Sequence, residues 1–359
     1  NDVRPNLGTI SGFMVIDDSN YSAIFTAAEG VDALGAVTVA DDYTDLAGNL
    51  GAAGTDTVTI DTFNPTVTVN IVESVLTDSN STSLVTFEFS EDVTGFDVND
   101  VTSTFGSISG FTVVDASNYQ ATFTAVDGVD VVGQVAVVAD YEDLAGNAGT
   151  TGLDTVVIDR LNPTVNVDVF ENELTDAEPS SLVTFEFSED VTGFDAGDLS
   201  TVGGSISDFA IIDANTYTAL FTASDGVAMT GSVTVSGGYE DFNGNVGVSG
   251  FDNVTIDRVN PTVASIERAD ADYTNATSVD FTVTFTENVT GVDLDGADFS
   301  LVTSVAGASI VSVAGSGSVY IVTVGTGSTG GSIGLALAAT PTIQDAVGND
   351  LTDTAVSGA

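Results

Sequence analysis

One short motif, Asp-x-x-Asn-Pro-Thr-Val, occurs three times in this chain and begins at Asp61, Asp159 and Asp257. Successive copies are 98 residues apart. A unit of that length can bury a small hydrophobic core of its own, and a fixed period of this size is the signature of a domain array. The sequence therefore predicts a string of similar small domains, with the repeated motif at each joint.

The period divides the 359 residues into four predicted repeats. Their bounds are 1–62 for repeat one, 63–160 for repeat two, 161–258 for repeat three and 259–359 for repeat four. Repeat one is partial, because Gly8–Phe13 aligns with Gly106–Phe111 and the first two strands would fall before residue 1. Either the sequence begins inside a domain or a neighbouring chain donates those strands. Repeat four diverges, with extra residues near Asp293–Asp298 and a Gly/Ser-rich stretch at Gly315–Gly331.

Alternation of apolar and polar residues runs through each repeat, and no helix-sized window carries a 3.6-residue period. In repeat two the predicted strands are Thr66–Val72, Leu84–Phe89, Asp100–Phe105, Ile108–Val114, Tyr119–Ala125, Gly133–Ala139 and Thr155–Ile158. Seven short strands separated by Gly, Asp and Asn are typical of an antiparallel sandwich. We therefore predict an all-β fold of tandem immunoglobulin-like antiparallel β-sandwiches arranged as a rod.

Charge narrows the range of partners. The chain has 53 acidic residues and four basic ones, all arginine, which gives a net charge of −49. Nucleic acids and anionic lipids both require a basic surface, so neither is an expected partner. No apolar run approaches the roughly 18 residues of a membrane-spanning helix, and no leader is recognised at Asn1. Cysteine and histidine are absent, which excludes disulfides and the common nucleophile–base pairs of enzymes.

Three acidic motifs recur: the joint, the turn after the second strand, and an Asp-x-x-Gly-Asn turn before the last strand. Alternate loops of an antiparallel sandwich share one pole, so all three motifs should meet where one domain joins the next. The preceding domain could add Asp32 or Asp130 at the first two joints, whereas the third has Ala228 there. The candidate metal ligands are Asp61, Asn64, Glu91, Asp92, Asp143 and Asn147 at the first joint, Asp159, Asn162, Glu189, Asp190, Asp241 and Asn245 at the second, and Asp257, Asn260, Glu287, Asp345 and Asn349 at the third.

Carboxylates gathered at one point repel each other, by roughly 4 kcal/mol for two charges about 4 Å apart at an effective dielectric of about 20. Lysine is absent, so a cation is the expected remedy. Oxygen ligands on flexible loops favour Ca²⁺ over Mg²⁺, and the lack of histidine and cysteine disfavours zinc and copper. Two alternatives stay open: Asp and Asn are also ordinary turn residues, and a strongly acidic surface also suits high-salt surroundings.

Three sequence features carry a family resemblance. They are Phe-Ser-Glu-Asp-Val-Thr-Gly-Phe at Phe89–Phe96 and Phe187–Phe194, the Asp-Leu-Ala-Gly-Asn turn, and the proline joint. With them the chain resembles the bacterial immunoglobulin-like repeats of giant calcium-dependent cell-surface adhesins of the RTX and Bap type. Segments of repeat four that begin at Gly317 and Gly331 are similar to a sister subfamily.

The resemblance implies an extracellular extender at the bacterial surface, stiffened by calcium, that holds a distal adhesive domain away from the outer membrane. It implies calcium ligation by Glu91, Asp143 and Asn147 in repeat two and, in repeat three, by the equivalent Glu189, Asp241 and Asn245. Repeat four has Asn288 in place of an aspartate, which leaves the charge and occupancy of its site open.

Three functions follow from these features, and we favour a structural extender that catalyses no reaction. Its partners would be the neighbouring repeats of one long chain, with calcium at the joints and an adhesive target that the sequence does not identify. The first alternative is a subunit of an extracellular filament, matrix or surface layer, formed by self-association. The second is a carbohydrate-binding or hydrolytic module that uses the Glu91/Asp92 pair.

Overall fold

The computed structural model describes residues 2–293, 295, 297–352 and 357–358. Asn1, which begins the predicted repeat one, and Ala359, which ends the predicted repeat four, lie outside the described residues, as do Leu294 and Gly296 of the predicted insertion. Within the described part, no helix is long and apolar enough to cross a membrane.

The chain divides into two compact units. The first comprises Asn1–Leu161 together with Asn243–Asn245, and the second comprises Asn162–Phe242 and Val246–Ala359. Repeats one and two therefore belong to the first unit. Repeats three and four belong to the second, apart from Leu161 and the three residues of one turn.

Repeat one contributes a three-stranded sheet in the order β1-β4-β5 and a separate β2-β3 ribbon. The bounds are Val3–Pro5 (β1), Gly8–Val15 (β2), Tyr21–Ala27 (β3), Asp32–Val39 (β4) and Gly54–Asp61 (β5). All pairs within these two sheets are antiparallel.

Repeat two is a sandwich of two four-stranded sheets, β11-β12-β8-β6 and β10-β13-β15-β7, with a small β14-β9 ribbon. The strands are Val67–Ile71 (β6), Val75–Leu76 (β7), Thr82–Phe89 (β8), Val93–Thr94 (β9), Val101–Thr104 (β10), Gly106–Val113 (β11), Asn118–Ala125 (β12), Asp130–Val137 (β13), Glu142–Asp143 (β14) and Gly152–Asp159 (β15). One 3₁₀ turn covers Val98–Asp100. Each of the seven predicted segments overlaps a strand. The short β7, which was not predicted, pairs in parallel with β15.

Repeat three has the same plan, with sheets β16-β18-β22-β21 and β17-β25-β23-β20 and a β19-β24 ribbon. Its strands are Val165–Val169 (β16), Glu173–Leu174 (β17), Ser180–Phe187 (β18), Val191–Thr192 (β19), Leu199–Val202 (β20), Gly204–Ile211 (β21), Thr216–Ala223 (β22), Ala228–Val235 (β23), Glu240–Asp241 (β24) and Gly250–Asp257 (β25). A 3₁₀ turn covers Ala196–Asp198.

Repeat four keeps two facing sheets, β26-β27-β30-β29 and β28-β31-β32. Its strands are Val263–Arg268 (β26), Ser278–Phe285 (β27), Phe299–Thr303 (β28), Ser309–Ser316 (β29), Val319–Gly325 (β30), Ile333–Leu337 (β31) and Ser357–Gly358 (β32).

Repeats two, three and four each enclose a hydrophobic core of their own. In β8 the side chains alternate, so Val85, Phe87 and Phe89 are buried while Leu84 and Glu88 face outwards. Such alternation is the physical consequence of the two-residue strand period. It explains why the sequence pattern identified the sandwich.

Candidate metal centre

Three of the predicted ligands, Asp61, Glu91 and Asp143, come together in the first unit. Each offers a carboxylate oxygen, and these oxygens lie within 4.8 Å of one another. Asp143 is buried, and the other two are half-buried. Asp61 belongs to repeat one, whereas Glu91 and Asp143 belong to repeat two. The group therefore lies at the joint between these two repeats.

The sandwich fixes the two segments that carry Glu91 and Asp143. Glu91 follows the end of β8, and Asp143 lies in β14, where it is the register partner of Val93. Just before them in sequence, the rings of Phe89 and Tyr141 pack edge to face with their centroids 4.8 Å apart. Ring contacts of this type add to the burial of apolar area. The core thus holds the two turns side by side.

The Asp-x-x-Gly-Asn turn wraps around the Asp143 carboxylate. Oδ1 accepts hydrogen bonds from the backbone N–H groups of Ala145 and Asn147, both at 2.8 Å. Gly146 has a φ of 89°, a left-handed conformation that favours glycine and accounts for the Gly of the motif. Burial alone would raise the pKa of Asp143. The hydrogen bonds from the Asn147 side chain and from the turn backbone outweigh burial and lower it.

Asn147 links the turn to the preceding repeat. Its Nδ2 donates to Asp143 Oδ2 at 2.7 Å and to the carbonyl oxygen of Asp61 at 3.2 Å. Since an amide nitrogen cannot ligate a cation, Oδ1 is the atom of Asn147 that could do so. Through its nitrogen the side chain therefore connects the turn of repeat two to the end of repeat one, and this connection does not involve its oxygen.

Glu91 is in the opposite electrostatic situation. Burial, followed by repulsion from Asp61, Asp143 and Asp32, raises the pKa of Glu91 above its ordinary value. Asp32 lies opposite Asp61 in the β4–β5 register, which places it where the sequence topology suggested. The cluster therefore concentrates negative charge around Glu91 without offsetting it.

The remaining predicted ligands of the first joint lie outside this group of three. Asn64 and Asp92 are both exposed. One contact at this joint was not predicted. The Tyr141 hydroxyl donates to the carbonyl oxygen of Thr150 at 2.7 Å and lies 3.3 Å from that of Pro65. The recurrence of a tyrosine two residues before three of the four Asp-x-x-Gly-Asn turns, at Tyr43, Tyr141 and Tyr239, is a signal that could have revealed it.

The predicted ligands of the second joint occupy equivalent places along the chain. Asp159 ends β15 and is buried, Glu189 is half-buried after β18, Asp190 is exposed, and Asp241 is buried in β24. The buried Asn245 donates from Nδ2 to the carbonyl oxygen of Asp159 at 3.0 Å, as Asn147 does to Asp61.

The third set, in the second unit, is looser. Asn349 Nδ2 donates to Asp345 Oδ2 at 2.7 Å and to the carbonyl oxygen of Asp257 at 2.9 Å. Burial raises the pKa of Glu287, and repulsion from Asp345 and Asp257 raises it further. Among the described residues, however, these three carboxylates do not form a group as close as the one at Asp61.

Within the described part of the chain, the joint asparagines act as donors in two of the three joints. Asn162 Nδ2 donates to the carbonyl oxygen of Val246 at 2.7 Å. Asn260 Nδ2 donates to the carbonyl oxygen of Asp350 at 3.0 Å and to Asp176 Oδ2 at 2.8 Å. Such contacts give Asn162 and Asn260 a structural role at the joint.

The Asp61 cluster has the composition of a hard-cation site: it consists of three carboxylates and includes no sulfur or imidazole group. Its residues lack an activated nucleophile of the usual hydroxyl, thiol or amine type. Three carboxylates at this distance are a donor set that could hold a hard cation.

Comparison with solved structures finds several bacterial proteins at low sequence identity. Invasin, a bacterial integrin-binding protein, is 14% identical, with a TM-score of 0.30 over 95% of this chain and 69% of that one. InvD of Yersinia pseudotuberculosis is 16% identical, with a TM-score of 0.28 over 82% of this chain and 88% of that one. The adhesin InvE of the same organism is 19% identical, with a TM-score of 0.24 over 54% and 59%.

Comparison with curated protein sequences finds no match. A family model, described as a bacterial Ig-like domain, matches residues 61–158 and 159–256, which together make up more than half of the chain. Both matches begin at the aspartate of a joint motif and cover one 98-residue period. The chain belongs to the bacterial Ig-like domain family.

Proposed function

We propose that this chain is a structural extender of a secreted bacterial adhesin, in which Ca²⁺ bound at the joints restrains successive Ig-like repeats. The observation that carries the proposal is the convergence of Asp61, from one repeat, with Glu91 and Asp143, from the next. A cation held by all three would offset their repulsion and tie the two repeats together. Asp-x-x-Gly-Asn turns recur in every repeat, so the same chemistry is available along the chain.

Calcium suits this cluster better than magnesium does. Ca²⁺ accepts six to eight oxygen ligands in irregular geometry, whereas Mg²⁺ demands a near-ideal octahedron. The candidate oxygens come from a strand end, a turn and a second turn, which together make an irregular cage. The carboxylates of Asp61, Glu91 and Asp143 and Oδ1 of Asn147 would supply protein ligands, and backbone carbonyls and water would complete the shell.

The adhesin role rests on family membership and composition. Tandem Ig-like domains with a net charge of −49 and no lysine suit a passive spacer at the cell surface better than a module that binds nucleic acid or anionic lipid. In this role the partners of each repeat are its neighbours in the same chain. Adhesion itself would belong to other parts of the parent protein.

Ion binding can be tested by calorimetric titration of the full chain with CaCl₂ and, separately, MgCl₂ after treatment with a chelator. We expect calcium to bind tightly, magnesium weakly, and Glu91→Gln to lose one calcium site. Asp92→Asn, which removes an exposed charge next to Glu91, is the matched control and should keep the full number of sites. Equal binding of the two cations, or an unchanged calcium count in Glu91→Gln, would refute the site.

The extender role can be tested by small-angle X-ray scattering of the same samples. Without the ion, like charges should spread the joint between repeats one and two over many angles, so the distribution of molecular dimensions should broaden in chelator. A scattering profile that is identical with calcium and with chelator would argue against restraint by the ion.

A further inference from the structure

Asp176, in the loop after β17, connects three segments of the second unit. Its Oδ1 accepts a hydrogen bond from Arg258 Nε at 3.1 Å, and its Oδ2 accepts one from Asn260 Nδ2 at 2.8 Å. Its backbone N–H donates to Asn349 Oδ1 at 2.8 Å. Arg258 and Asn260 belong to the joint motif, and Asn349 belongs to the turn of repeat four. One aspartate of repeat three therefore holds both the joint and the next repeat.

Arg258 is itself anchored in repeat three. Its side chain is 15% exposed, NH1 donates to the carbonyl oxygen of Ala223 at 2.7 Å, and NH2 lies 3.6 Å from Asp225 Oδ1. Partly buried arginine held by several oxygens is more rigid and less screened by salt than a surface ion pair. The guanidinium thus fixes the start of the joint to the body of repeat three.

The other side of the joint is fastened in the same way. Asn260 Nδ2 also donates to the carbonyl oxygen of Asp350, and Asn349 Nδ2 donates to the carbonyl oxygen of Asp257. All of these contacts are hydrogen bonds or ion pairs between protein groups. Repeats three and four are therefore joined by a network in which no atom needs a metal ion.

The first joint, between repeats one and two, differs at the residue that directly follows the aspartate of the joint motif. Thr62 stands where the later joints have arginine, and its Oγ1 donates to the carbonyl oxygen of Ala28 at 2.8 Å. A neutral threonine cannot offset the charges of Asp61, Glu91 and Asp143. At this joint Asp61, Glu91 and Asp143 form a close group of three, and threonine leaves their charge unbalanced.

We propose that Asp176 and Arg258 form a metal-independent clamp that keeps the joint between repeats three and four ordered when divalent cations are removed. The joint between repeats one and two has no such arginine and depends on its cation instead. Within one chain, the joints would then differ in their sensitivity to calcium. The clamp does not rest on the proposed calcium site, because it consists of protein contacts alone.

The chain has no cysteine, so pairs of spin labels can be placed on the full-length protein without removing native thiols. One pair, Leu182→Cys with Ile321→Cys, uses exposed strand positions in repeats three and four. A second pair, Leu34→Cys with Leu84→Cys, does so in repeats one and two. Pulsed electron–electron double resonance spectroscopy then gives the distribution of distances between the two labels, and its width is compared in calcium and in chelator.

In chelator we expect the Leu182/Ile321 distribution to stay as narrow as in calcium, and Arg258→Gln to broaden it about twofold or more, as for a joint released into local motion. Arg268→Gln, which removes an arginine from the end of β26, is the matched control and should leave the width unchanged. Asp176→Asn, which retains the shape of the side chain, is a second variant in case Arg258→Gln impairs folding, and should broaden the same distribution.

Two results would overturn the clamp: broadening of the wild-type Leu182/Ile321 distribution in chelator, or an unchanged width in both Arg258→Gln and Asp176→Asn. Failure of the calcium site would look different. In that case the Leu34/Leu84 distribution would be the same in calcium and in chelator, while the Leu182/Ile321 pair would still respond to Arg258→Gln.

Discussion

Neutralising Glu91 should stabilise the calcium-free protein and destabilise the calcium-bound protein relative to wild type. In the absence of a cation, Glu91 brings a negative charge to within 4.8 Å of Asp61 and Asp143. Within the described part of the chain no hydrogen bond to its carboxylate is found, so Glu91→Gln removes repulsion without removing a structural contact. In calcium, the same substitution removes a charged ligand.

The size of the effect follows from Coulomb's law. Two unit charges about 4.8 Å apart repel by about 0.9 kcal/mol at the dielectric of water and by about 3.5 kcal/mol at an effective dielectric of about 20. Glu91 faces two such charges, so the limits are about 2 and 7 kcal/mol. Because Glu91 and Asp61 are half-buried and can move apart, we expect a gain at the lower end, about 1–2 kcal/mol.

The assay is differential scanning calorimetry of the full chain, in which the transition that contains repeat two is followed in chelator and in excess calcium. For a domain of about 100 residues, 1 kcal/mol moves the midpoint by about 4–8 °C. Glu91→Gln should therefore melt about 5–10 °C higher than wild type in chelator. Calcium at about 100 times its dissociation constant adds about 2.7 kcal/mol to the wild type, so the order should reverse in calcium.

Glu142→Gln is the control for a simple change in net charge, because Glu142 is the exposed residue of β14, next to the buried Asp143. It should shift the midpoint by no more than about 2 °C in either condition, as expected for a surface charge. The reasoning is refuted if Glu91→Gln lowers the midpoint in chelator, or if Glu142→Gln raises it equally.

Three further outcomes are expected. Calorimetry should show that Tyr141→Phe, which removes the buried hydroxyl that donates to the carbonyl oxygen of Thr150, costs about 1–2 kcal/mol, whereas Tyr43→Phe, at a tyrosine 44% exposed, costs under about 0.5 kcal/mol. In chemical denaturation Gly110→Ala (φ 61°) should cost about 1 kcal/mol, whereas Asp208→Gly, at the equivalent left-handed position (φ 53°), should stabilise by about 0.5 kcal/mol; the opposite signs would contradict this. Burial raises the pKa of Tyr239 from 10 to about 12, so the neutral phenol favours the fold, and stability present below pH 10 should fall by about 2–3 kcal/mol as the pH approaches 12, less so in Tyr239→Phe.

The fold could be predicted because its main determinants are local and repeated. Leu-Val-Thr-Phe-Glu-Phe at Leu84–Phe89 alternates so regularly that only a strand with one buried face satisfies it, and the structure has β8 there. The two-residue strands β9 and β14 were missed, because two residues carry no period. The parallel β7 was missed for the same reason, and because its partner, β15, lies about 80 residues further along the chain.

The sequence suggested which segments should meet but not which atoms. Topology placed the turn after β8, the turn at β14 and the strand end at Asp61 at one pole, and the three carboxylates do meet there. Between the neighbours Glu91 and Asp92, however, alternation gives no guidance once the strand has ended, and Asp92 is exposed. The role of Asp176 could not be predicted from the sequence, because its partners Arg258 and Asn349 lie 82 and 173 residues further along the chain.

The recurring Asp-x-x-Gly-Asn turn is poor evidence for an ion when taken alone, because its Asp, Gly and Asn each have a structural role in the turn. Asp143 accepts two backbone N–H groups and the Asn147 amide, which lower its pKa and are sufficient reason for the motif. Glu91 is the informative residue. It lies against two other carboxylates, its pKa is raised, and the structure offers it no compensating contact within the described residues. A carboxylate that is repelled by its neighbours, next to one that the turn already satisfies, is the arrangement expected of a cation ligand.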